Sequence, residues 1–255
     1  MRLRWKADPL AFTRHGTIAL CADTTARWHA SWLSALGLRS ERRDSVWRAV
    51  DSPPFIYWTA ITLAQTTSPS DVEDAHGTVC DSWSLLELGP LGFESIDRDG
   101  CEQRAREPWF LRSPRQLAAE RTPAELDVVF VSTPSQVAEF EDVSVRGFDG
   151  EEASVEPGAF HPASILGDPS MTMLIGRVGA NGVAAATSYR SAEAVGIYGV
   201  TTIPSARGRG YASALTRTLI DPSLPAVLSP SPEAAGLYRR LGFERVGDLR
   251  QWQRP

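Results

Sequence analysis

Between residues 126 and 255 the apolar positions alternate between strand-like runs and helical spacing. Val128 to Val131 is a short apolar run bounded by polar residues, the pattern of a buried strand. Thr133, Pro134 and Gln136 come next as an N-cap, a first-turn proline and the glutamine of a capping box. They predict a helix with Val137 and Phe140 on its apolar face. Residues 147–167 are rich in glycine, proline and acids and read as loop. Met171 to Val178 and Val183 to Tyr189 read as paired strands, with Ala180-Asn181-Gly182 as the turn. Ala194 to Ile203 predicts a strand, Tyr211 to Ile220 a helix with Leu215 and Leu219 inward, and Ala226 to Leu228 a short strand. Residues 232–241 predict a helix opened by Ser231 as N-cap and closed by Gly242, and 243–252 a last strand. The crossover helix after Ile203 implies a parallel strand pair, and the hairpins imply antiparallel ones, so the sheet is expected to be mixed.

The pattern is weaker before residue 118. Trp28, Trp32 and Leu36 recur at helical spacing and predict a helix over 24–36. Phe55 to Leu63 reads as a strand after the break at Pro53-Pro54, Ser82 to Leu88 as a short helix, and Trp109 to Leu111 as a strand. Leu91-Gly92-Phe93-Glu94 repeats Leu241-Gly242-Phe243-Glu244, each after a short helical stretch. We read residues 1–118 as an N-terminal domain, a candidate degenerate copy of the second, and 119–255 as the second domain. Residues 112–124, with Pro114 and Pro123, form the expected linker.

Composition narrows the class. The 255 residues are 42% hydrophobic and 22% charged, as in ordinary globular proteins. No apolar run approaches the ~18 residues a membrane span needs. The start, Met1 to Lys6, is basic, but Arg14 and His15 interrupt the apolar stretch after it, so no signal peptide is expected. Cys21, Cys80 and Cys101 form no close pair, which points to reduced thiols and a cytoplasmic protein. His15, His29, His76 and His161 lack metal-ligand spacing, and no metal is expected. A net charge of −5 argues against nucleic acid as a partner.

The chemistry-bearing stretch is Arg207-Gly208-Arg209-Gly210-Tyr211-Ala212, between a predicted strand and a predicted helix. A glycine turn there aims backbone N–H groups at the positive end of a helix dipole, which suits a pyrophosphate, and Arg207 and Arg209 would add charged donors. Gly-x-Ser-x-Gly and Gly-x-x-x-x-Gly-Lys-Ser/Thr are both absent, and Gly208-x-Gly210 lacks the third glycine of a dinucleotide site.

The spacing Arg-x-x-Gly-x-Ala resembles the acyl-CoA pyrophosphate loop of the GNAT N-acetyltransferases. A second stretch, Ser231 to Phe243, is similar to that family's C-terminal signature, with Ala234, Tyr238, Gly242 and Phe243 matching and Ser231 in place of the usual Asn. The two motifs stand in the family's order, and the resemblance covers residues 125–255.

The resemblance implies an α/β (α+β) fold: a mixed, mainly antiparallel sheet flanked by helices. It implies acetyl-CoA as co-substrate and a small-molecule or peptide amine as acceptor, attacked directly in a ternary complex. The CoA contacts it carries over are Val200, Thr201, Thr202, Arg207, Gly208, Arg209, Gly210, Tyr211, Ala212, Ser213 and Ser231. It makes Tyr238 the general acid. Many members dimerise through the sheet or C-terminal strand, so a homodimer is an expectation. The general base is not specified: Glu193, Glu141 and Asp142 are candidates, and the acids Glu139 to Glu152 would lie along the acceptor wall. The competing readings are a CoA- or acyl-CoA-binding module without transfer, and a nucleotide-binding domain of another class.

Overall fold

The computed structural model describes residues 14–96, 106–118 and 122–254. The basic start, the side chain of His15, Cys101 and part of the expected linker lie outside them. The element order is α1 (Arg14–Ala35), β1 (Ser40–Arg42), β2 (Val46–Ala49), β3 (Ala60–Thr62), β4 (Gly77–Asp81), β5 (Glu94–Ser95), β6 (Arg106–Arg112), β7 (Leu126–Phe130), α2 (Pro134–Asp149), β8 (Met171–Val178), β9 (Asn181–Arg190), β10 (Val195–Thr202), α3 (Tyr211–Leu219), β11 (Ala226–Leu228), α4 (Ala235–Arg240) and β12 (Glu244–Arg254).

One sheet holds all the strands, in the order β1-β2-β3-β4-β12-β6-β11-β10-β9-β8-β7, with β5 beside β12. It is mixed and mainly antiparallel: among the described residues only β3–β4 and β10–β11 run parallel. The pairing senses repeat. From β1 to β4 and on to β12 they run antiparallel, antiparallel, parallel, antiparallel. From β8 to β11 and on to β6 they run the same way. Each series is completed by the long strand from the other half of the chain, and β6 and β12 pair with each other at the centre. The echoed tetrapeptides sit at matching places. Gly92 and Gly242 both have left-handed φ, near 83° and 85°, and Phe93 and Phe243 are both buried just before β5 and β12.

Local sequence explains most elements. Thr133 and Gln136 close the capping box expected at the start of α2. Leu215 and Leu219 of α3 are buried, and α3 packs on β9 and β10. Helix α1 is longer than its tryptophan spacing predicted and packs Ile18, Cys21, Ala22, Trp32 and Leu33 into the core.

Four sequence expectations are displaced. The hairpin between β8 and β9 turns at Gly179-Ala180, because Val178 pairs with Asn181. Residues 55–59 precede rather than join β3. The stretch 82–88 is a turn and not a helix: the Asp81 carboxylate accepts the N–H groups of Trp83 and Leu86, and Ser84 adopts φ 53°. An Asp that binds nearby backbone N–H groups offers them an alternative to helix. Helix α4 starts at Ala235, after a turn in which Ser231 O accepts from Ala234 and Ala235.

The larger of two apolar clusters joins the halves: Trp32, Tyr57 and Trp109 belong to the same buried cluster as Phe140, Leu215 and Phe243. Trp109 is 1% exposed, and its indole N–H donates to Ser82 O at 2.9 Å. Burial at this depth with a satisfied N–H makes it worth about 3–5 kcal/mol against alanine.

Candidate active site

Strand β10 is interrupted at Gly199-Val200. Tyr198 lies opposite Thr187 and Thr201 opposite Ala185, so two residues face one, a β-bulge. Gly199 has φ 58°, where a side chain would be strained. On its other edge β10 pairs with β11 only through Val195 and Gly196. Beyond Gly196 no strand of the described residues adjoins that edge. Its peptide groups face a gap where an extended ligand can take the place of a neighbouring strand.

A cavity of about 540 Å³ fills the gap. The second half of the chain contributes Ile197 to Val200, Leu228 to Ser231, and Ala234 and Tyr238 at α4. The first half contributes Trp28 and His29 of α1, Phe55, Ile56 and Trp58, and Glu107 and Trp109 of β6. Gln251 and Gln253 of β12 and Phe148 of α2 also line it.

The glycine loop comes directly after β10. Gly208 and Gly210 have φ 80° and 83°, and Gly210 caps α3. The first bond inside the helix runs from Ala214 N–H to Gly210 O at 3.0 Å. The N–H groups of Tyr211, Ala212 and Ser213 therefore precede the helical ladder and sit at its positive end, the geometry that binds phosphate groups. Arg209, Gly210, Ser213 and Arg217 line a second cavity of about 440 Å³ there.

Tyr238 is buried beside the first cavity, edge-on to Phe243 with ring centres 5.8 Å apart and planes at 77°. Burial pushes its phenol well above the usual range, against a hydrogen bond with Thr216 that pulls the other way, so it is a neutral O–H donor at any physiological pH. The end of α4 is held by the first half of the chain: Arg112 Nε donates to Leu241 O at 3.1 Å and Arg115 Nη2 to Gly242 O at 2.9 Å. Cations at a helix C-terminus also complement its dipole.

A polar chain crosses the cavity wall. Trp58 Nε1–H donates to Gln251 Oε1 at 3.1 Å, Gln251 Nε2 to Glu107 Oε1 at 2.8 Å, and Ser229 Oγ lies 3.5 Å from Glu107 Oε2. His29 Nδ1 lies 3.0 Å from Thr25 O. A carbonyl only accepts, so the proton sits on Nδ1. Burial lowers the His29 pKa to about 4, which keeps the ring neutral, and it stacks on Trp58 at 5.1 Å.

Among solved structures, a GCN5-related N-acetyltransferase from Kribbella flavida is similar, with a TM-score of 0.58 and 17% identity over 91% of this chain and 95% of that one. A GNAT-family protein from Novosphingobium aromaticivorans DSM 12444 has a TM-score of 0.60 and 16% identity, over 93% and 99%. The chain has the GNAT fold. Both likenesses run through the first half of the chain as well as the second. No family model matches the sequence, and no curated protein matches it.

Within the GNAT fold, the residues carried over from the motifs separate into groups. Val200, Ser231 and Tyr238 line the first cavity. Arg209, Gly210 and Ser213 line the second. Thr201 and Thr202 are buried in register with β9, outside the cavity lining. Arg207 follows the short turn after β10. Its Nε donates to Thr202 O at 3.1 Å and its Nη2 to Gly147 O at 2.8 Å, so it braces the loop against β10 and the end of α2. Tyr211 is buried, with its O–H donated to Glu125 at 2.9 Å. Gly208 has open space around it, and Ala212 lies in the first turn of α3.

The candidate bases lie elsewhere. Glu141 is fully buried and accepts the N–H groups of Gly158, Phe160 and His161, which organises the loop after α2. Asp142 pairs with Arg146, Glu139 with Arg177, and Glu193 sits in the exposed turn before β10. Sequence reasoning missed Glu107. Its one signal is an acid in line with Trp109 and Leu111 on an otherwise apolar face of a predicted strand.

Among the described residues no helix is long and apolar enough to cross a membrane, and no group of three or more metal-ligating side chains occurs.

Proposed function

We propose that this protein is an acetyl-CoA-dependent N-acetyltransferase that moves the acetyl group to an amine in a ternary complex. The observation that carries the reading is the gap between β10 and β11, a cavity lined by the bulge at Gly199 and by Tyr238, with the glycine loop and the N-terminus of α3 next along the chain after β10. A CoA thioester is an extended chain with a pyrophosphate at one end. The open edge of β10 offers the chain peptide groups, and the first turn of α3 offers the pyrophosphate N–H groups and a dipole.

The chain's own residues then have distinct tasks. The peptide groups at the bulge orient the thioester carbonyl and stabilise charge developing on its oxygen. The cavity keeps water from the reacting carbon and holds the amine within reach. Tyr238 supplies the proton that the departing sulfur needs, and its neutral phenol suits that task. Its approach to the sulfur is consistent with its place in the wall beside Ser231 and Ala234.

The test is thiol release from acetyl-CoA across a panel of amines. Amine-dependent release with stoichiometric N-acetyl product is the expected result. Tight acetyl-CoA binding with no release for any amine would favour the alternative, a CoA-binding module of the same fold.

A further inference from the structure

We propose that His29 Nε2 accepts a hydrogen bond from the acceptor amine and aims the amine's lone pair at the acetyl carbon, and that the acceptor is a primary amine. The proposal rests on the acetyl-transfer reading above and gives a further residue of the same cavity a role in it.

The bonding of the ring leaves one lone pair unused. His29 Nδ1 lies 3.0 Å from Thr25 O, one turn back along α1, so Nδ1 carries the proton. A neutral imidazole with its proton on Nδ1 presents a lone pair on Nε2. No described residue donates to that lone pair. His161 Nδ1 is sealed from solvent without a partner, whereas His29 Nε2 is not sealed in this way.

The ring also stands in the right place. His29 is 3% exposed and forms part of the wall of the cavity of about 540 Å³. Nδ1 is turned back to the helix, so Nε2, at the far end of the side chain, is the polar atom left to face that space. A chain of rings leads from it to the reacting carbonyl's position. His29 and Trp28 have ring centres 4.8 Å apart, Trp28 stacks on Tyr198 at 4.5 Å, and Tyr198 immediately precedes the bulge at Gly199. Tyr238 lines the same cavity.

Packing holds the ring still. It stacks on Trp58 at 5.1 Å with 15° between the planes, and Trp47 and Tyr57 lie 5.7 Å and 6.1 Å away. A group locked by its own hydrogen bond and by neighbouring rings can fix a reactant's orientation closely. Burial lowers the His29 pKa to about 4, so the lone pair is present throughout the physiological range.

In the reaction a neutral amine attacks while one of its N–H groups stays bonded to Nε2. The nitrogen bonds to the acetyl carbon as the carbon–sulfur bond breaks with its electron pair on sulfur. Tyr238 gives its proton to the sulfur and recovers one from the nitrogen. The second N–H, still on His29, becomes the N–H of the amide. The products are the N-acetyl amide and CoA thiol, and His29 neither gains nor loses a proton. Two N–H groups are used, so a secondary amine lacks one of them.

The test follows acetyl transfer to 2-phenylethylamine and to N-methyl-2-phenylethylamine. The aromatic wall suits both, and they differ by one N–H. The wild-type protein should prefer the primary amine by at least about tenfold in kcat/KM. His29→Asn keeps a donor for Thr25 O and places nothing at Nε2, whereas His29→Gln carries an amide oxygen out to that position. His29→Asn should lower kcat/KM for the primary amine by about a hundredfold and erase the preference, with acetyl-CoA affinity unchanged. His29→Gln should stay within about tenfold of wild type. A role in packing alone would impair the two variants in step with their Tm values. Full activity in folded His29→Asn, equal loss in both folded variants, or equal use of the two amines by the wild-type protein would overturn the proposal and leave acetyl transfer standing. The comparison of amines is made on the wild-type protein, so it decides even if the variants fail to fold. Acetyl-CoA binding without thiol release for either amine would remove the acetyl-transfer reading for these acceptors, and the proposal with it.

Discussion

The hydroxyls of Thr25 and Tyr198 lie 3.1 Å apart, which ties α1 to the bulge in β10 across 173 positions of sequence. The bond matters because Tyr198 precedes Gly199, where β10 leaves its register. Tyr198→Phe keeps the stack on Trp28 and removes only this link. We expect a loss of about 1 kcal/mol, read as a fall in Tm of roughly 2–4 °C. An unchanged Tm would mean that the bond contributes nothing to holding the bulge.

Glu141 tests whether a buried acid on α2 is chemical or structural. Its two oxygens accept three backbone N–H groups, from Gly158, Phe160 and His161. Glu141→Gln replaces one acceptor oxygen with an NH2 group that faces an N–H donor. The expected cost is about 3 kcal/mol of stability with acetyl-CoA affinity intact. Full stability with lost turnover would instead make Glu141 a base.

Tyr238→Phe separates a general acid from a packing residue. The ring and its contact with Phe243 remain, while the O–H is lost. Turnover should fall by about 10²–10³ with little change in the acetyl-CoA dissociation constant. Full activity would remove Tyr238 from the mechanism.

His29 and His161 predict an acid-side loss of stability. Burial lowers both pKa values to about 4, from an ordinary 6.5. His161 Nδ1 lies 3.8 Å from Glu141 Oε1, too far for a hydrogen bond that would favour the charged ring. Between those values the unfolded chain binds more protons than the folded one, so stability is complete above pH 6.5 and falls as the pH drops toward 4. The loss by pH 5 is about 2 kcal/mol for each ring. Asp51 and Asp221, held near 2 by hydrogen bonds led by Arg39 and Ser223, lose their contribution only below pH 3.8. Thermal unfolding from pH 7.5 to 5 checks the window, and a flat Tm would contradict the neutral buried histidines.

The parts of this molecule governed by nearby residues were legible in the sequence. The capping box at Thr133, the inward leucines of α3, and the glycine loop with its strand and helix all arise from local spacing. So did the paired motifs that resembled the family. The hidden parts depend on contacts between distant residues. Nothing near Glu107 announces that Gln251, 144 positions later, will hold it, or that Trp58 will orient that glutamine. The exchange of β6 and β12 between the halves is a tertiary event as well. The stretch 82–88 misled for a local reason: its spacing suits a helix, but the Asp81 carboxylate captures the N–H groups that a helix would start from.

The most direct test of the account is thermal stability with acetyl-CoA, beside NAD and ATP, for the wild-type protein and Gly210→Glu. A ligand that binds only the folded state stabilises it by ~2.7 kcal/mol at a hundredfold excess over its dissociation constant, or roughly 5–10 °C in Tm. The account predicts that shift with acetyl-CoA alone, and none in Gly210→Glu, where a carboxylate would stand in the pyrophosphate's place. An equal shift with ATP, or no shift with acetyl-CoA, would contradict it and leave the glycine loop as a structural turn.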